Sequence, residues 1–290
     1  MLLRGLYPPL VTPFAGDGSV DLDALERLAR ELTDCGAAGL VALGSTAEPF
    51  ALNDAESVSV VDVIAGVCAE ADAQLIVGAG HVDTGRTIAA HERLAEFPGV
   101  TASLALVPYY MRPSAAGVVA HFEAVAARSP VPLVVYNVPY RTGVDLDAEA
   151  LLAIAAIDGV VGMKQSAGAI DDDVVSFMAD KPDDFAVLCG DDALIQPLVA
   201  MGGAGAIAAS AHFATERFAH LTDGASRHDT RALLPLVRAL FAEPNPAVIK
   251  GLLFRQGRIA APDVRMPMTR ASDAGVDRAL AALELTPAPA

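Results

Sequence analysis

The chain has 290 residues, and 53% of them are apolar, which is enough for a sizeable core in one large domain or two. Its formal net charge of −16 argues against nucleic acid or an anionic membrane surface as a partner, because both would repel the protein. Apolar stretches are broken well before about 18 residues, so no membrane-spanning helix is predicted.

The cysteines are few and scattered. Cys35, Cys68 and Cys189 lie beside apolar neighbours and lack the close or paired spacing of a disulfide framework or a metal cluster. The first residues lead into a strand pattern without the features of a signal peptide. We therefore expect buried free thiols, no metal site and a cytoplasmic location.

Short β-rich segments alternate with helical segments up to about position 225. The predicted strands are 6–12, 38–43, 74–78, 102–107, 133–137, 159–164, 185–189 and 205–208. The predicted helices between them are 22–32, 55–69, 87–97, 115–127, 148–157, 173–179 and 194–201. Asp21, and Asn53 with Glu56, are predicted to cap the first two helices. Eight strands joined by helices indicate parallel crossovers and favour an α/β fold, a closed (β/α)₈ TIM barrel, over an open sheet.

Beyond the eighth strand only helical periodicity remains, over 215–222, 230–241, 246–256 and 271–285. The last three of these segments predict a small helical domain. We therefore expect a catalytic barrel over 1–225 and a C-terminal helical domain over 226–290.

Lys164 ends an apolar run, 159–164, that is typical of a buried strand. The chain has only two other lysines: Lys181 lies in a polar turn and Lys250 lies within a helical pattern. A lysine amine that loses hydration is favoured in its uncharged form and becomes available for Schiff-base chemistry with a carbonyl substrate. The alternative is a lysine that simply leaves the core where the strand ends.

Other polar and small residues follow the predicted strands, at the end of a parallel barrel where active sites lie. They are Ser45 and Thr46 after the second strand, Tyr110 after the fourth, Tyr136 and Arg141 at the fifth, Gly190 after the seventh and Ile207 at the eighth. Taken singly, each has an ordinary structural explanation: a helix cap, a packed ring, a loop charge or a turn.

Together these residues resemble the family that includes dihydrodipicolinate synthase and N-acetylneuraminate lyase. The resemblance runs from Pro9-Leu10-Val11-Thr12-Pro13-Phe14 to Arg265-Met266-Pro267-Met268-Thr269, and Tyr136-Asn137-Val138-Pro139-x-Arg141-Thr142-Gly143 is similar to the synthase subgroup. It implies a (β/α)₈ barrel with a helical C-terminal domain, a homotetramer, and pyruvate bound as an imine on Lys164 with no other cofactor.

The resemblance also implies the remaining roles. Ser45 and Thr46 would hold the pyruvate carboxylate while Ser45 passes on a proton, and Tyr136 would relay protons during imine formation. Tyr110 would complete the relay in a neighbouring subunit's site. Arg141 would bind the carboxylate of a second substrate. Gly190 and Ile207 would line the pyruvate pocket mainly through backbone atoms.

Two departures from the family pattern bear on the site. Ala47 stands where the family usually has a glycine, so it is strained if that position needs a positive φ.

Feedback-sensitive members of the family bind lysine between two subunits. This chain keeps a tyrosine there, Tyr109, but most of the other residues that line the lysine site are different. Arg86 in place of a glutamate would repel a lysine ligand, which predicts that lysine does not inhibit. The other replacements are Pro49, Asp54, Ser57 and Val82.

The leading hypothesis is a lyase that condenses pyruvate with an aldehyde, and Arg141 favours aspartate semialdehyde, which gives 4-hydroxy-tetrahydrodipicolinate. One alternative is a related pyruvate-dependent aldolase that acts on a sugar acid or hydroxy-oxo acid. An alternative of another class is a catalytically silent barrel that binds a keto acid.

Overall fold

Eight parallel strands form a closed barrel in the computed structural model, which describes residues 3–224 and 227–286. The strands are β1 Gly5–Leu6, β2 Gly39–Ala42, β3 Gln74–Gly78, β4 Val100–Leu106, β5 Leu133–Asn137, β6 Val160–Gln165, β7 Ala186–Cys189 and β8 Gly205–Ala206. From β2 to β8 each strand pairs with its sequence neighbour, and β1 pairs with β8. Pro9 forms a parallel bridge to Val41 of β2, which closes the ring. The predicted fold class is confirmed.

Helices cover the outside of the barrel and continue beyond it. They are α1 Leu22–Asp34, α2 Asp54–Glu70, α3 Thr84–Glu92, α4 Ala115–Ala126, α5 Pro139–Thr142, α6 Ala148–Ala155, α7 Asp172–Asp180, α8 Ile195–Ala200, α9 Thr215–Thr222, α10 Arg227–Leu240, α11 Ala247–Arg255 and α12 Asp273–Glu284. Both predicted caps are confirmed. The Asp21 carboxylate accepts from the backbone N–H of Ala24, and Asn53 and Glu56 form a reciprocal capping box.

The first strand is shorter than the predicted 6–12. Pro8 and Pro9 have no backbone N–H to donate, so a continuous ladder cannot extend through them. The chain nevertheless stays beside β2, because the N–H of Leu10 donates to the carbonyl of Val41 and the N–H of Val41 donates to Pro8.

The C-terminal helices pack on one side of the barrel. Leu236 of α10 and Leu252 of α11 are fully buried in the same apolar cluster as Leu25 and Leu28 of α1. The predicted boundary at 225/226 and the end of the chain, 287–290, lie outside the described residues, so the division at 225 stays a prediction. Within the described residues, no helix is both long and apolar enough to cross a membrane.

Candidate active site

Lys164 is the second-to-last residue of β6 and is nearly buried, with 6% of its surface exposed. In the sheet register it stands opposite Tyr136 of β5. Its Nζ atom lies 4.2 Å from the centre of the Tyr136 ring, within the range of a cation–π contact. Tyr136 belongs to the apolar cluster that fills the barrel interior, together with Ile207. The strand pairing therefore brings the lysine and the phenol together inside one end of the barrel.

Gly190, which follows β7, is packed against the Lys164 side chain. A Cβ atom at this position would lie 2.5 Å from Cε of Lys164 and 2.0 Å from Oγ of Ser166. Only glycine leaves room for the lysine in this arrangement. The backbone N–H of Gly190 donates to the carbonyl of Gln165 at 2.8 Å, which joins the ends of β6 and β7.

The loop after β2 begins with a 3-10 turn, Ser45–Ala47. Ser45 and Tyr136 both line a cavity of about 340 Å³. Thr46 is buried, and its Oγ1 accepts a hydrogen bond from Nδ2 of Asn245 at 3.0 Å. Ala47 sits inside the turn, and the left-handed position is the next residue, Glu48, with φ 56° and ψ 43°. Replacement of the family's glycine by Ala47 therefore introduces no backbone strain.

Tyr110, in the loop after β4, and Arg141, on the short helix α5 after β5, lie at the same end of the barrel but are exposed. Tyr110 is 87% exposed and has a φ of 66°, an uncommon value for a tyrosine. Arg141, on α5, donates from Nε to the Tyr140 hydroxyl at 3.0 Å, and its guanidinium lies over the Tyr140 ring. The chain itself thus brings Lys164 against Tyr136 and leaves these two side chains at the rim.

Two buried polar groups near Lys164 were not among the predicted site residues. Ser166 is 1% exposed, and its hydroxyl has no hydrogen-bond partner in the described structure. Its Oγ lies within about 4.5 Å of Cε of Lys164, the sum of the two distances from the Gly190 position. Burial raises the pKa of Asp192 to about 6, against the opposing effects of hydrogen bonding with Ser210 and the charge of Lys164. Both could have been found from the sequence, because Ser166 follows Lys164 by two residues and Asp192 follows Gly190 by two.

The cavity beside Ser45 extends toward the predicted lysine-binding region. Its wall includes Asp54 and Arg93, whose carboxylate and guanidinium form an ion pair at 3.5 Å. Arg86 is exposed in the first turn of α3, and its backbone N–H donates to the Asp83 carboxylate. The Asp54 carboxylate, which could have bound an ammonium group of a lysine ligand, is therefore already paired with Arg93.

The sequence matches the model of the dihydrodipicolinate synthetase family over residues 2–285. The chain is 37% identical to the 4-hydroxy-tetrahydrodipicolinate synthase of Moorella thermoacetica over 284 residues, which cover 96% of each protein. The crystal structure of dihydrodipicolinate synthase from Thermotoga maritima superimposes with a TM-score of 0.92 and 30% identity over 99% of both chains. A structure described as the first monomeric dihydrodipicolinate synthase variant also superimposes with a TM-score of 0.92, at 30% identity over 98% of this chain and 97% of that one.

Proposed function

The chain belongs to the dihydrodipicolinate synthetase family, and we propose that it condenses pyruvate with aspartate semialdehyde to give 4-hydroxy-tetrahydrodipicolinate, on the route to diaminopimelate and lysine. It is a lyase of the class I aldolase type that acts on small-molecule substrates.

The main support within the chain is the environment of Lys164. The amine lies at the carboxyl end of a barrel strand, is nearly buried, faces a phenol and has a glycine against its stem. Such a site restricts water around the nitrogen and restricts the directions in which the amine can point, and both conditions favour addition to a ketone.

The reaction begins when the Lys164 nitrogen adds to C2 of pyruvate. Loss of water from the carbinolamine gives an iminium ion, and loss of a proton from C3 gives an enamine. The enamine carbon then attacks the aldehyde carbon of aspartate semialdehyde and forms the new carbon–carbon bond, while the C=O π bond opens and its oxygen takes up a proton to become the hydroxyl group. Return of the water or attack by the substrate's own amino group releases Lys164, so the amine is regenerated.

Ser45, Thr46 and Tyr136 serve the pyruvate half of this reaction. Hydroxyl groups and the adjacent backbone N–H groups suit a carboxylate, which only accepts hydrogen bonds. Ser45 and Tyr136 line the same cavity, as proton transfer between them requires. Gly190 and Ile207 shape the remaining wall of the pyruvate pocket.

Arg141 binds the carboxylate of the aldehyde substrate. Its guanidinium always carries a charge and presents a planar fork that matches a carboxylate. In this structure the side chain rests on Tyr140 at the rim of the barrel.

Tyr110 acts in the site of a neighbouring subunit of a homotetramer, and the protein works in the cytoplasm. Exposed apolar side chains on the loops at this end of the barrel support the assembly, since large exposed apolar groups mark contact surfaces. They are Phe50 at 64%, Tyr110 at 87%, Met111 at 72% and Tyr140 at 68%.

Borohydride reduction in the presence of pyruvate, followed by mass analysis of peptides, tests the imine. We expect a pyruvyl adduct on Lys164, and its absence would refute the lyase assignment in favour of a silent keto-acid-binding barrel. Turnover against a panel of aldehydes then tests the substrate. Faster reaction with a sugar-derived or hydroxy-oxo aldehyde than with aspartate semialdehyde would indicate the related aldolase.

A further inference from the structure

The C-terminal helices contribute a buried cation to the loop after β2. Nζ of Lys250, on α11, lies 2.8 Å from Oε1 of Glu48. The side chains of the two residues are 0% and 4% exposed, so both charges are removed from water. Burial lowers the pKa of Lys250, and the nearby Glu48 carboxylate opposes that effect. The ammonium also lies 3.9 Å from the centre of the Phe14 ring.

Both oxygens of the Glu48 carboxylate are held by this part of the chain. While Oε1 accepts from Lys250, Oε2 accepts from the backbone N–H of Arg265 at 2.7 Å. The backbone of Glu48 is left-handed, a conformation that is unfavourable for a side chain with a Cβ and persists only where its surroundings hold it. The side-chain contacts of Glu48 therefore maintain the backbone turn that ends the loop segment Ser45–Ala47.

Thr46 is held by the same region through Asn245. Its Oγ1 accepts from the Asn245 amide, and a hydroxyl has only one hydrogen of its own to donate. The Asn245 contact thus occupies a lone pair of Thr46 and leaves the hydroxyl hydrogen for a carboxylate. On the other side, Thr12 donates from Oγ1 to the carbonyl of Ala47 at 2.8 Å.

We propose that Lys250, Glu48 and Asn245 are positioning residues for pyruvate: they act from behind the loop and set Ser45 and Thr46 for the carboxylate. The proposal rests on the proposed function. An unpaired buried charge is strongly unfavourable, so without Lys250 the Glu48 carboxylate takes up a proton or turns toward water. Either change removes the ion pair that holds Glu48 in its left-handed conformation. Because Glu48 follows Thr46 by only two residues, the loss of that support displaces the pyruvate-binding groups.

The test compares the single variant Lys250→Met with the double variant Glu48→Gln/Lys250→Met. The single variant leaves a buried carboxylate without its cation, whereas the double variant removes both charges and keeps both shapes and an oxygen for Arg265. Borohydride trapping on Lys164 is measured as a function of pyruvate concentration, together with the thermal midpoint. Arg258→Met is the matched control, because Arg258 joins the C-terminal part to the barrel through Glu31, at a different place.

In Lys250→Met we expect the half-saturating pyruvate concentration to rise about tenfold, the change that about 1.4 kcal/mol of lost binding produces. The double variant should return close to the wild-type value, and Arg258→Met should stay there even if its thermal midpoint falls. Unchanged half-saturation in a folded Lys250→Met protein would overturn the proposal. So would an equal change in Arg258→Met, which would indicate general destabilisation.

Asn245→Ala provides a second test if Lys250→Met does not fold. It removes the amide that donates to Thr46 and should weaken pyruvate trapping without changing the Michaelis constant for the aldehyde, which Arg141 binds from α5. Wild-type affinity for pyruvate in Asn245→Ala would refute the role of Asn245. Failure of the wild-type protein itself to form an adduct would instead refute the proposed function.

Discussion

Substitution of Gly190 by alanine should slow the reaction by displacing the lysine rather than by unfolding the barrel. Gly190 is not among the residues with a positive φ, so its backbone accepts an alanine without strain. The added Cβ, however, would lie 2.0 Å from Oγ of Ser166 and 2.5 Å from Cε of Lys164, whereas non-bonded contacts of a Cβ stay above 3.0 Å. Oγ of Ser166 must therefore move by about 1 Å and Cε of Lys164 by about 0.5 Å. A misplacement of about 1 Å at a reacting group lowers the rate by about 100-fold, so for the lysine we expect a loss of roughly tenfold.

The assay is the initial rate of borohydride trapping of pyruvate on Lys164, with circular dichroism at each temperature as a measure of folding. Gly66→Ala is the matched control, because Gly66 lies inside α2 and its added Cβ would meet nothing within 4 Å. That control should retain full activity and gain about 0.5–1 kcal/mol of stability from its helical position. Trapping by Gly190→Ala at the wild-type rate would refute the inference that Gly190 provides the space in which Lys164 acts.

Three further outcomes follow from the site and its surroundings. Arg141→Ala should raise the Michaelis constant for aspartate semialdehyde by roughly 10–100-fold, the effect of losing about 1.5–3 kcal/mol, and should leave trapping of pyruvate intact; normal turnover of that aldehyde would exclude Arg141 as the gripping residue. Calorimetric titration with lysine should show no sub-millimolar binding, because Arg93 already pairs with Asp54 in the cavity wall and repels a second cation. Burial lowers the pKa of His212 from 6.5 to about 4. As the pH falls, the histidine of the unfolded chain therefore takes up a proton before the buried one does, which favours unfolding. The contribution of His212 to the free energy of unfolding is complete above pH 6.5 and is lost as the pH falls toward 4. The free energy of unfolding should therefore drop by roughly 2 kcal/mol less between pH 6.5 and 5 in His212→Gln than in the wild-type protein, and equal losses in urea titrations would contradict this account.

The barrel was predictable because strand and helix periodicities alternate eight times along the chain. Periodicity did not predict the length of β1. Pro8 and Pro9 look like part of an extended segment, but in the structure they reduce β1 to two residues and an isolated bridge. The start of α1 was predicted well because the Asp21 side chain caps it. A capping side chain and the backbone N–H that it binds are only a few residues apart, so a cap can be recognised from the sequence alone. The prediction for α3, 87–97, was wrong: the helix begins at Thr84 after the cap Asp83 and ends at Glu92, where a 3-10 helix follows.

The pairing of Lys164 with Tyr136 was foreseeable, since the ends of adjacent parallel strands must meet. The burial of Lys250 was not. Its helical pattern says nothing about a carboxylate 202 positions away, and a contact over that distance depends on how the C-terminal helices pack against the barrel. Sequence comparison also directed attention to Ala47 as the strained position of the loop, whereas the left-handed residue is Glu48.

If Lys250, Glu48 and Asn245 position the pyruvate-binding residues as proposed, pyruvate binding depends on residues that follow the last barrel strand in the sequence. A polypeptide that stopped after β8 would carry every candidate site residue from Ser45 to Ile207, but it would lack Asn245, Lys250 and the backbone N–H of Arg265. Since ribosomes build the chain from its amino end, the loop can be locked only after position 265 has emerged. On this proposal, a chain that ends before Arg265 would contain the reactive lysine without the contacts that hold Ser45 and Thr46 for the pyruvate carboxylate, so we expect such a chain to bind pyruvate poorly.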